Sequence, residues 1–328
     1  MENNFVGLAL QDGGALKPLI LPSEETGGTG LMNPSILYEN STIKVLIRHV
    51  NYTFYHSEKK LFQHPFGPLT YLHPENDLKL RTWNWYCELD DNLDISSYCQ
   101  IDTSKFDTYE PRWEFVGLED ARLVRWDDKL YHCGVRRDTT ENGEGRMELS
   151  KLSVGNGTVV ERSRVRIQPP NNPDSYCEKN WMPILDKPYH FVKWSNPTEV
   201  VKVNNNTGIS ETVFLGETKE IENDQRGGTQ LVPYKNGYLA IVHEVFLGKD
   251  LAGRKDGKYA HRFLFWDKDF NLVKMSDMFF FMSAQVEFAT GMADYKDSFL
   301  ITFGFQDNAA FILKVPKSTV DNFVNIKL

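Results

Sequence analysis

The sequence predicts an all-β protein, a five-bladed β-propeller, on three observations. Almost no stretch of the 328 residues repeats its apolar side chains with a helical period. Short apolar runs instead occur in pairs, and a turn rich in Asn, Asp, Gly or Lys separates the two members of each pair. Five such pairs recur at intervals of roughly fifty residues with further strands between them, which is typical of a propeller.

Each pair begins with polar or charged residues that lead into an inner strand. These starts are Asn33, Glu119 with Asp120, Glu178 with Lys179 and Asn180, Arg226, and Glu287. The turns within the pairs fall at residues 39–41, 127–129, 186–188, 235–237 and 296–297. Because the inner strands of a propeller surround a central channel, we expect the five starts to converge on one axial pocket.

Composition limits the remaining possibilities. A single all-β unit can be this long, and no linker interrupts the chain, so we predict one domain over residues 1–328 with its core at about 31–315. The aromatic content of 13% favours sheet. The net charge of -8 argues against a nucleic-acid or membrane partner, and no apolar run is long enough to span a bilayer. We leave the oligomeric state open, including a homo-oligomer.

The cysteines and histidines predict neither disulfides nor a metal site. The four cysteines are scattered without a Cys-x-x-Cys pair, so we expect free thiols in a reducing compartment. The chain starts without the basic and apolar stretches of a signal peptide, which favours a cytoplasmic location. The eight histidines lack metal-ligand spacing.

The stretch with the clearest chemistry is residues 117–122, Gly-Leu-Glu-Asp-Ala-Arg. It places two adjacent carboxylates, Glu119 and Asp120, beside the guanidinium of Arg122 at the mouth of a hairpin. Repulsion between the acids and attraction to the arginine can hold one acid ionised and the other protonated. An exposed, solvated turn is the alternative interpretation of this pattern.

These residues resemble the Gly-x-Glu-Asp-Pro-Arg signature of the β-mannoside phosphorylases of glycoside hydrolase family 130, which are five-bladed propellers. Other segments similar to the family's motifs follow in the expected order: Asn33 and Pro34, residues 46–48, 178–183, 237–243, 259–267 and 303–307. The chain departs from the pattern at Ala121, where the family has Pro, and at Glu244, where it has Gly. The segment 304–307, Gly-Phe-Gln-Asp, also differs, because the family has small residues between the Gly and the Asp. The resemblance therefore implies a divergent branch.

The resemblance also implies roles for individual residues. Asp120 would be the general acid of an inverting phosphorolysis, acting through a hydroxyl of the mannosyl ring, with Glu119 beside it. Phosphate is itself the nucleophile, so no protein base is needed, and inorganic phosphate or a sugar phosphate would be the co-substrate without any other cofactor. The residues expected to hold the sugar are Asn33, Arg48, Arg122, Asn180, Glu244, Glu287 and Asp307.

A phosphate would need a cradle of cationic and hydroxyl donors. The candidates for this cradle are Arg136, Arg137, Arg146, Lys179, His243 and Tyr259. Adjacent side chains of a strand point to opposite faces, so only one of Arg136 and Arg137 can face the channel, and we favour Arg137. Each candidate has a plainer interpretation as a surface charge or, for His243, as a core histidine.

Three other activities remain open. A sugar-nucleotide-dependent β-mannosyltransferase would use the same cations for a diphosphate. A β-mannoside hydrolase would need a second carboxylate to activate water, and Glu244 is the candidate for that base. A glycan-binding propeller would carry no chemistry. Residues 83–86, Trp-Asn-Trp-Tyr, line either a sugar subsite or an interface between blades.

Overall fold

The computed structural model describes residues 4–52, 62–63, 70–71, 77, 79–171, 175–249 and 255–328. Its strands form the five blades of the predicted propeller in chain order, with blades 1 and 2 joined in a single sheet and one separate two-stranded hairpin. All five predicted hairpins are present, each with its turn where the sequence places it. The fold class, an all-β five-bladed propeller, is therefore confirmed.

A short N-terminal segment precedes the first blade. It comprises α1 (Phe5–Gln11), β1 (Ala15–Pro18) and α2 (Ser23–Thr26). Asn4 caps α1, because its side-chain oxygen accepts a hydrogen bond from the amide of Gly7 at 2.9 Å.

The first two blades form one continuous sheet. Blade 1 contains β2 (Leu31–Glu39), β3 (Thr42–Val50), β6 (Leu80–Leu89) and β7 (Ile95–Asp102), with the small hairpin β4 (Phe62–Gln63) and β5 (Thr70–Tyr71) between β3 and β6. Blade 2 follows β8 (Phe115–Val116) and contains β9 (Glu119–Trp126), β10 (Lys129–Arg136), β11 (Arg146–Gly155) and β12 (Thr158–Arg166). The outer strands β7 and β12 pair in parallel and thereby join the two blades.

The third and fourth blades repeat the same arrangement. Blade 3 contains β13 (Met182–Pro183), β14 (His190–Ser195), β15 (Thr198–Val203) and β16 (Ser210–Leu215). Blade 4 contains β17 (Arg226–Gly227), β18 (Val232–Tyr234), β19 (Gly237–Lys249), β20 (Lys255–Asp267) and β21 (Leu272–Met275). In this blade, β17 and β18 both pair with β19 and together take the place of one inner strand.

The fifth blade joins the two ends of the chain. It contains β22 (Glu287–Tyr295), β23 (Ser298–Phe305) and β24 (Ala309–Pro316), and β1 pairs with β24 as its outer strand. After α3 (Lys317–Phe323), β25 (Ile326–Lys327) pairs with β21 of blade 4. The predicted core of residues 31–315 does not include β1, which is a strand of blade 5.

Buried aromatic side chains fill the interfaces between blades. The indole of Trp126 in blade 2 donates to the carbonyl of Ile184 in blade 3, and that of Trp266 in blade 4 donates to Thr198 in blade 3, each at 2.9 Å. Phe281 and Phe303 stack with their ring centroids 4.1 Å apart. Because each indole finds a hydrogen-bond partner, these large side chains are buried without an unsatisfied polar group.

Three findings concern disulfides, membrane-spanning helices and metal sites. All four cysteines are free. No helix among the described residues is long and apolar enough to cross a membrane. Within the same ranges, no group of three His, Cys, Asp or Glu side chains could hold a metal ion. The histidines at 56, 64 and 73 lie outside the described residues.

The side-chain amide of Gln230 connects the inner strands of three blades. Its nitrogen donates to the carbonyls of Ile36 in β2 and Leu123 in β9, at 2.8 and 2.9 Å. Its oxygen accepts from the amide of Met292 in β22 at 3.2 Å. The side chain is fully buried and lies just before β18 of blade 4, so it holds four blades together at their inner edges.

Replacing Gln230 by Leu should destabilise the protein strongly. The change leaves two buried carbonyls and one buried amide without partners, and unsatisfied groups of this kind cost about 1–3 kcal/mol each. We expect the free energy of unfolding to fall by roughly 3–5 kcal/mol in urea denaturation. Gln168→Leu, at an exposed glutamine, is the control and should change it by less than about 0.5 kcal/mol. A similar small effect at Gln230 would contradict its connecting role.

Candidate functional site

A backbone irregularity in β9 directs Asp120 towards the propeller axis. Arg122 pairs with Cys133 and Glu119 with Val135, so the register shifts between them and β9 carries a bulge at Asp120 and Ala121. Asp120 has a φ of 48°, in the left-handed region that Asp tolerates better than most residues. Gly134 makes room for the bulge, because a Cβ there would lie 2.4 Å from the carbonyl oxygen of Glu119.

The inner strand of blade 1 contains the same kind of irregularity. Its register with β3 shifts between Met32 and Ser35, and Asn33 has a φ of 45°. The Asn33 side chain donates from Nδ2 to Oδ1 of Asp120 at 2.7 Å. At the start of blade 3, Asn180 also adopts a left-handed φ, of 61°. Short polar side chains in strained backbone thus face the axis from three consecutive blades.

Arg48 forms the central ion pair of this cluster. It donates to Oδ1 of Asp120 at 2.7 Å, to the hydroxyl of Tyr52 at 2.8 Å and to Oε2 of Glu119 at 3.4 Å. Burial by itself raises the pKa of Asp120, but the charges of Arg48 and Arg122 and the bond from Asn33 outweigh it. The pKa of Asp120 is therefore below its ordinary value, and the group is ionised in the free protein.

Arg122 fixes the backbone around Asp120. Its guanidinium donates to the Asp120 carbonyl at 2.6 Å and to the Gly228 carbonyl at 2.8 and 2.9 Å, and it contacts Oδ1 of Asn180 at 3.5 Å. The side chain is 1% exposed. Arg122 thus ties blades 2, 3 and 4 together and contributes a positive charge beside Asp120.

Asp307 is the third carboxylate of the cluster and behaves differently. It lies in the turn after β23 with a φ of 49°. Burial raises its pKa to about 6, helped by the negative charges of Asp120 and Glu119, while Arg48 and Lys179 act in the opposite direction. Two acids in one cluster therefore have pKa values displaced in opposite directions, which is the arrangement that separates an acid from a base.

Cationic side chains surround the three carboxylates. Nε of Arg137 lies 4.0 Å from Glu119, and its Nη2 lies 3.0 Å from Sγ of Cys177. Burial holds the pKa of His243 well below its ordinary value, and His261, Lys179, Arg226 and Arg122 add to this effect, so His243 is neutral. With Arg48, five cations face three carboxylates: Arg48, Arg122, Arg137, Lys179 and Arg226 against Glu119, Asp120 and Asp307.

Tyr259 and His243 form one wall of the cluster. Their rings stack with centroids 5.5 Å apart. Burial raises the pKa of Tyr259 to about 12, and the negative charges of Asp307 and Asp120 add to this effect. Both side chains are therefore neutral donors near neutral pH, which suits the binding of an oxygen-rich ligand.

Three predicted site residues do not join this cluster. Glu244 is buried, with its oxygens bonded to Arg262 at 2.6 Å and to Asn223 at 2.9 Å, because it points to the opposite face of β19 from His243. Glu287 accepts hydrogen bonds from the backbone amides of residues 281, 282 and 284 and so holds the loop before β22. Arg146 donates to the carbonyls of residues 145 and 175 and pairs with Glu144. These partners correct the roles that the sequence predicted for all three.

The other predicted site residues lie in or beside the cluster, and two more belong with them. Of the arginine pair, Arg137 lies beside Glu119, whereas Arg136 is bonded to Glu148, Asp107 and Asp138 on the side facing blade 1. Tyr52 was not foreseen, because no motif marks it. Arg226 was recognised only as the start of a blade, although its charge acts on His243 and Tyr259.

The aromatic run at residues 83–86 lies within β6 and mainly packs. Trp83 stacks on His49 at a centroid distance of 5.1 Å, and Trp85 is buried in the apolar core shared by blades 1 and 5. Packing therefore describes Trp85, whereas Trp83 and Asn84 also line a cavity between blades 1 and 2.

Fold and cluster together define a five-bladed propeller with an acid and cation site on its axis. No family model and no curated protein matches the chain by sequence. Solved structures do match. The β-1,2-mannobiose phosphorylase of Listeria innocua, solved with β-1,2-mannobiose, is 10% identical, with a TM-score of 0.54 over 90% of this chain and 92% of that one.

Two structures from Leishmania mexicana are also similar. A mannose phosphorylase in complex with phosphate ion is 11% identical, with a TM-score of 0.53 over 98% of this chain and 95% of that chain. A GDP-Man-dependent mannosyltransferase is 12% identical, with a TM-score of 0.50 over 92% of this chain and 90% of that chain. These similarities confirm the predicted resemblance in fold.

Replacing Asp307 and Asp120 by Asn should shift stability in opposite directions. Asn tolerates the left-handed backbone of both positions, so the comparison isolates charge. A raised native pKa means that stability falls as pH rises from the ordinary value of 3.8 through about 6, so Asp307→Asn should stabilise above pH 6 by up to about 3 kcal/mol. Near pH 4 the variant should match the wild type.

Asp120→Asn should destabilise at pH 8, because a lowered native pKa contributes stability above the ordinary value. Thermal melts of both variants and the wild type at pH 4 and pH 8 measure the effect. A loss of stability at pH 8 in Asp307→Asn would contradict the raised pKa.

Proposed function

We propose that this protein is a carbohydrate-active enzyme that transfers a mannosyl or related glycosyl unit, by inverting phosphorolysis of β-mannosides or by their synthesis. The observation that supports this most directly is the axial cluster, in which an ionised Asp120 lies among an excess of cations. Three carboxylates alone would serve a glycosidase, but five cations beside them favour an anionic co-substrate. Inorganic phosphate or a sugar phosphate has that charge, and the fold is similar to that of proteins whose substrates are mannosides.

The chemistry follows from the charge state of Asp120. In the synthetic direction an acceptor hydroxyl attacks the anomeric carbon of a sugar phosphate, the bond to phosphate breaks, and the hydroxyl loses its proton. An ionised Asp120 accepts that proton, directly or through a sugar hydroxyl. In phosphorolysis the same group returns the proton to the leaving oxygen while phosphate attacks from the opposite face.

The remaining residues of the cluster would bind and orient the substrates. Arg48 and Asn33 hold the Asp120 carboxylate in place, so a proton transferred there keeps a defined position. Lys179 is exposed and Arg226 partly exposed, so both can reach an incoming anion. Asp307, with its pKa of about 6, can donate a hydrogen bond to a sugar hydroxyl when it is protonated.

A nucleotide-sugar-dependent transferase is the second candidate. The excess of cations would neutralise a diphosphate as well as a phosphate, and one similar structure is that of a GDP-Man-dependent mannosyltransferase. Hydrolysis has less support, because Glu244, the candidate base, is 1% exposed and paired with Arg262. A purely binding role has no need for two carboxylates with opposed pKa shifts.

Asp120→Asn should reduce turnover by at least about a hundredfold, since general acid–base groups contribute about 10²- to 10⁴-fold. The assay incubates β-1,2-mannobiose with and without inorganic phosphate and measures mannose 1-phosphate and mannose. We expect mannose 1-phosphate only with phosphate. Asp269→Asn, an exposed surface change, is the control and should retain full activity. Full activity of Asp120→Asn would exclude it as the proton-transfer group.

The products separate the alternatives. Free mannose that forms regardless of phosphate would indicate a hydrolase. If neither product forms, GDP-mannose with a mannoside acceptor tests the transferase, and failure there as well would leave a binding protein.

Lys179→Met should raise the KM for phosphate about tenfold while changing kcat little. A charge-assisted contact to phosphate is worth about 1.5–3 kcal/mol, and 1.4 kcal/mol corresponds to a factor of ten. Lys179 is exposed, so its loss should leave the fold intact. Lys202→Met, at an exposed lysine of β15, is the matched control. An unchanged KM for phosphate would remove Lys179 from the anion site.

A further inference from the structure

A cavity lies between blades 1 and 2, separate from the axial cluster. Its volume is about 440 Å³, within the range of roughly 300–1,000 Å³ that is usual for small-molecule sites. Residues of β6, β7, β10 and the segment before β9 form its walls, among them Asn84, Gln100, Ser104, Leu118 and His132. None of the axial residues described above lines this cavity.

Two buried polar groups face this cavity without a protein partner. His132 is 1% exposed, and neither of its ring nitrogens has a hydrogen bond in the described structure. Asn84 is 8% exposed; its Nδ2 donates to the Leu118 carbonyl at 2.9 Å, but its Oδ1 has no partner. A buried polar atom without a partner costs about 1–3 kcal/mol, so a molecule that bonds to these atoms would recover that free energy.

The charged groups of the cavity do not favour an anion. Arg136 is 2% exposed and already bonds to Glu148 at 2.8 Å and to Asp138 and Asp107 at 3.3 Å. Burial lowers the pKa of His132 to about 4, although Glu161 opposes the shift, so the ring is neutral near neutral pH. No positive charge in these two residues is left for a phosphate.

The pattern of donors and acceptors instead matches hydroxyl groups. Neutral His132 presents one N–H donor and one acceptor nitrogen, and Asn84 presents an acceptor. A hydroxyl group both donates and accepts, so adjacent hydroxyls can satisfy the two side chains together. The exposed side chains of Gln100 and Ser104 offer further donors and acceptors at the rim.

We propose that this cavity is a second binding site for an uncharged, hydroxyl-rich small molecule, namely a sugar of the class that the enzyme processes. The choice of sugar class rests on the proposed function, whereas the hydroxyl-rich chemistry rests on the cavity alone. The site lies next to the axial cluster along the chain. Gly117 and Leu118 line it immediately before Glu119, and Asp138 fixes this turn by accepting the Gly117 amide at 3.1 Å.

Methyl NMR of the full chain tests the site. The probes are D-mannose, β-1,2-mannobiose and inorganic phosphate, and the reporters are the methyl groups of Ile101 and Leu118, which line the cavity. We expect both sugars to shift these signals in a saturable manner and phosphate to leave them unchanged. Ser104→Trp, at the exposed rim, should weaken the sugar response at least tenfold, whereas Ser97→Trp, exposed on β7 outside the cavity, should not.

His132→Leu should abolish the response as well. It should also leave the melting temperature of the sugar-free protein unchanged or raise it, because it removes buried polar atoms that have no partners. A sugar response that persists in both His132→Leu and Ser104→Trp, or no response in the wild type, would overturn the proposal and leave a cavity filled by water alone. If His132→Leu fails to fold, Ser104→Trp decides by itself.

Turnover assays on the same samples keep the two proposals apart. Both variants lie outside the axial cluster, so they should retain the mannoside activity of the wild type. Suppose that no sample turns over any mannoside while the wild type still shows a sugar response that His132→Leu abolishes. In that case the proposed function fails and the second site stands. If turnover is normal without such a response, only the second site fails.

Discussion

The amide side chain of Gln230 is the constraint on which the axial site depends. Inner strands that converge on an axis bring unpaired carbonyls and amides close together, and a buried group without a partner is costly. Gln230 satisfies one such group in each of β2, β9 and β22. The hydroxyl of Thr290 adds a bond to the Pro34 carbonyl at 2.8 Å, between blades 5 and 1. Polar bonds, and not only apolar packing, therefore set the spacing of the blades.

That fixed spacing allows strained backbone at the mouth of the site. Asn33, Asp120, Asn180 and Asp307 all have positive φ, a conformation that costs of order 1–3 kcal/mol unless the surroundings impose it. At Asp120 the bond from Arg122 to its carbonyl supports this conformation. The benefit is geometric, because a bulged residue can aim its side chain along the axis, where a regular strand residue would face a neighbouring blade.

Much of the fold could be predicted from the sequence, since paired apolar runs and turns are local signals. Asp120, Arg48 and Arg137 could be placed for a related reason: a motif or strand alternation marks them. Glu244 and Glu287 could not be placed, because the face that a side chain occupies depends on strand register, and on partners such as Arg262 that are distant in sequence. The closure of blade 5 by β1 was missed for the same reason, since its partner strand is almost 300 residues away.

The anionic co-substrate proposed above suits the axial cluster for a reason beyond the number of charges. Arg48 and Arg122 are committed to Asp120 and to the backbone, so they stabilise the site before any ligand arrives. Lys179 lowers the pKa values of both Asp307 and His243, so its charge acts on both groups. An anion bound there would oppose Lys179 and raise the pKa of Asp307 further. Binding of the anion would thus favour the protonated form of Asp307, while Arg48 continues to hold Asp120 ionised. The two acids would then differ most in protonation when a sugar phosphate is bound, and an ionised Asp120 is the form that accepts the acceptor's proton in the synthetic direction.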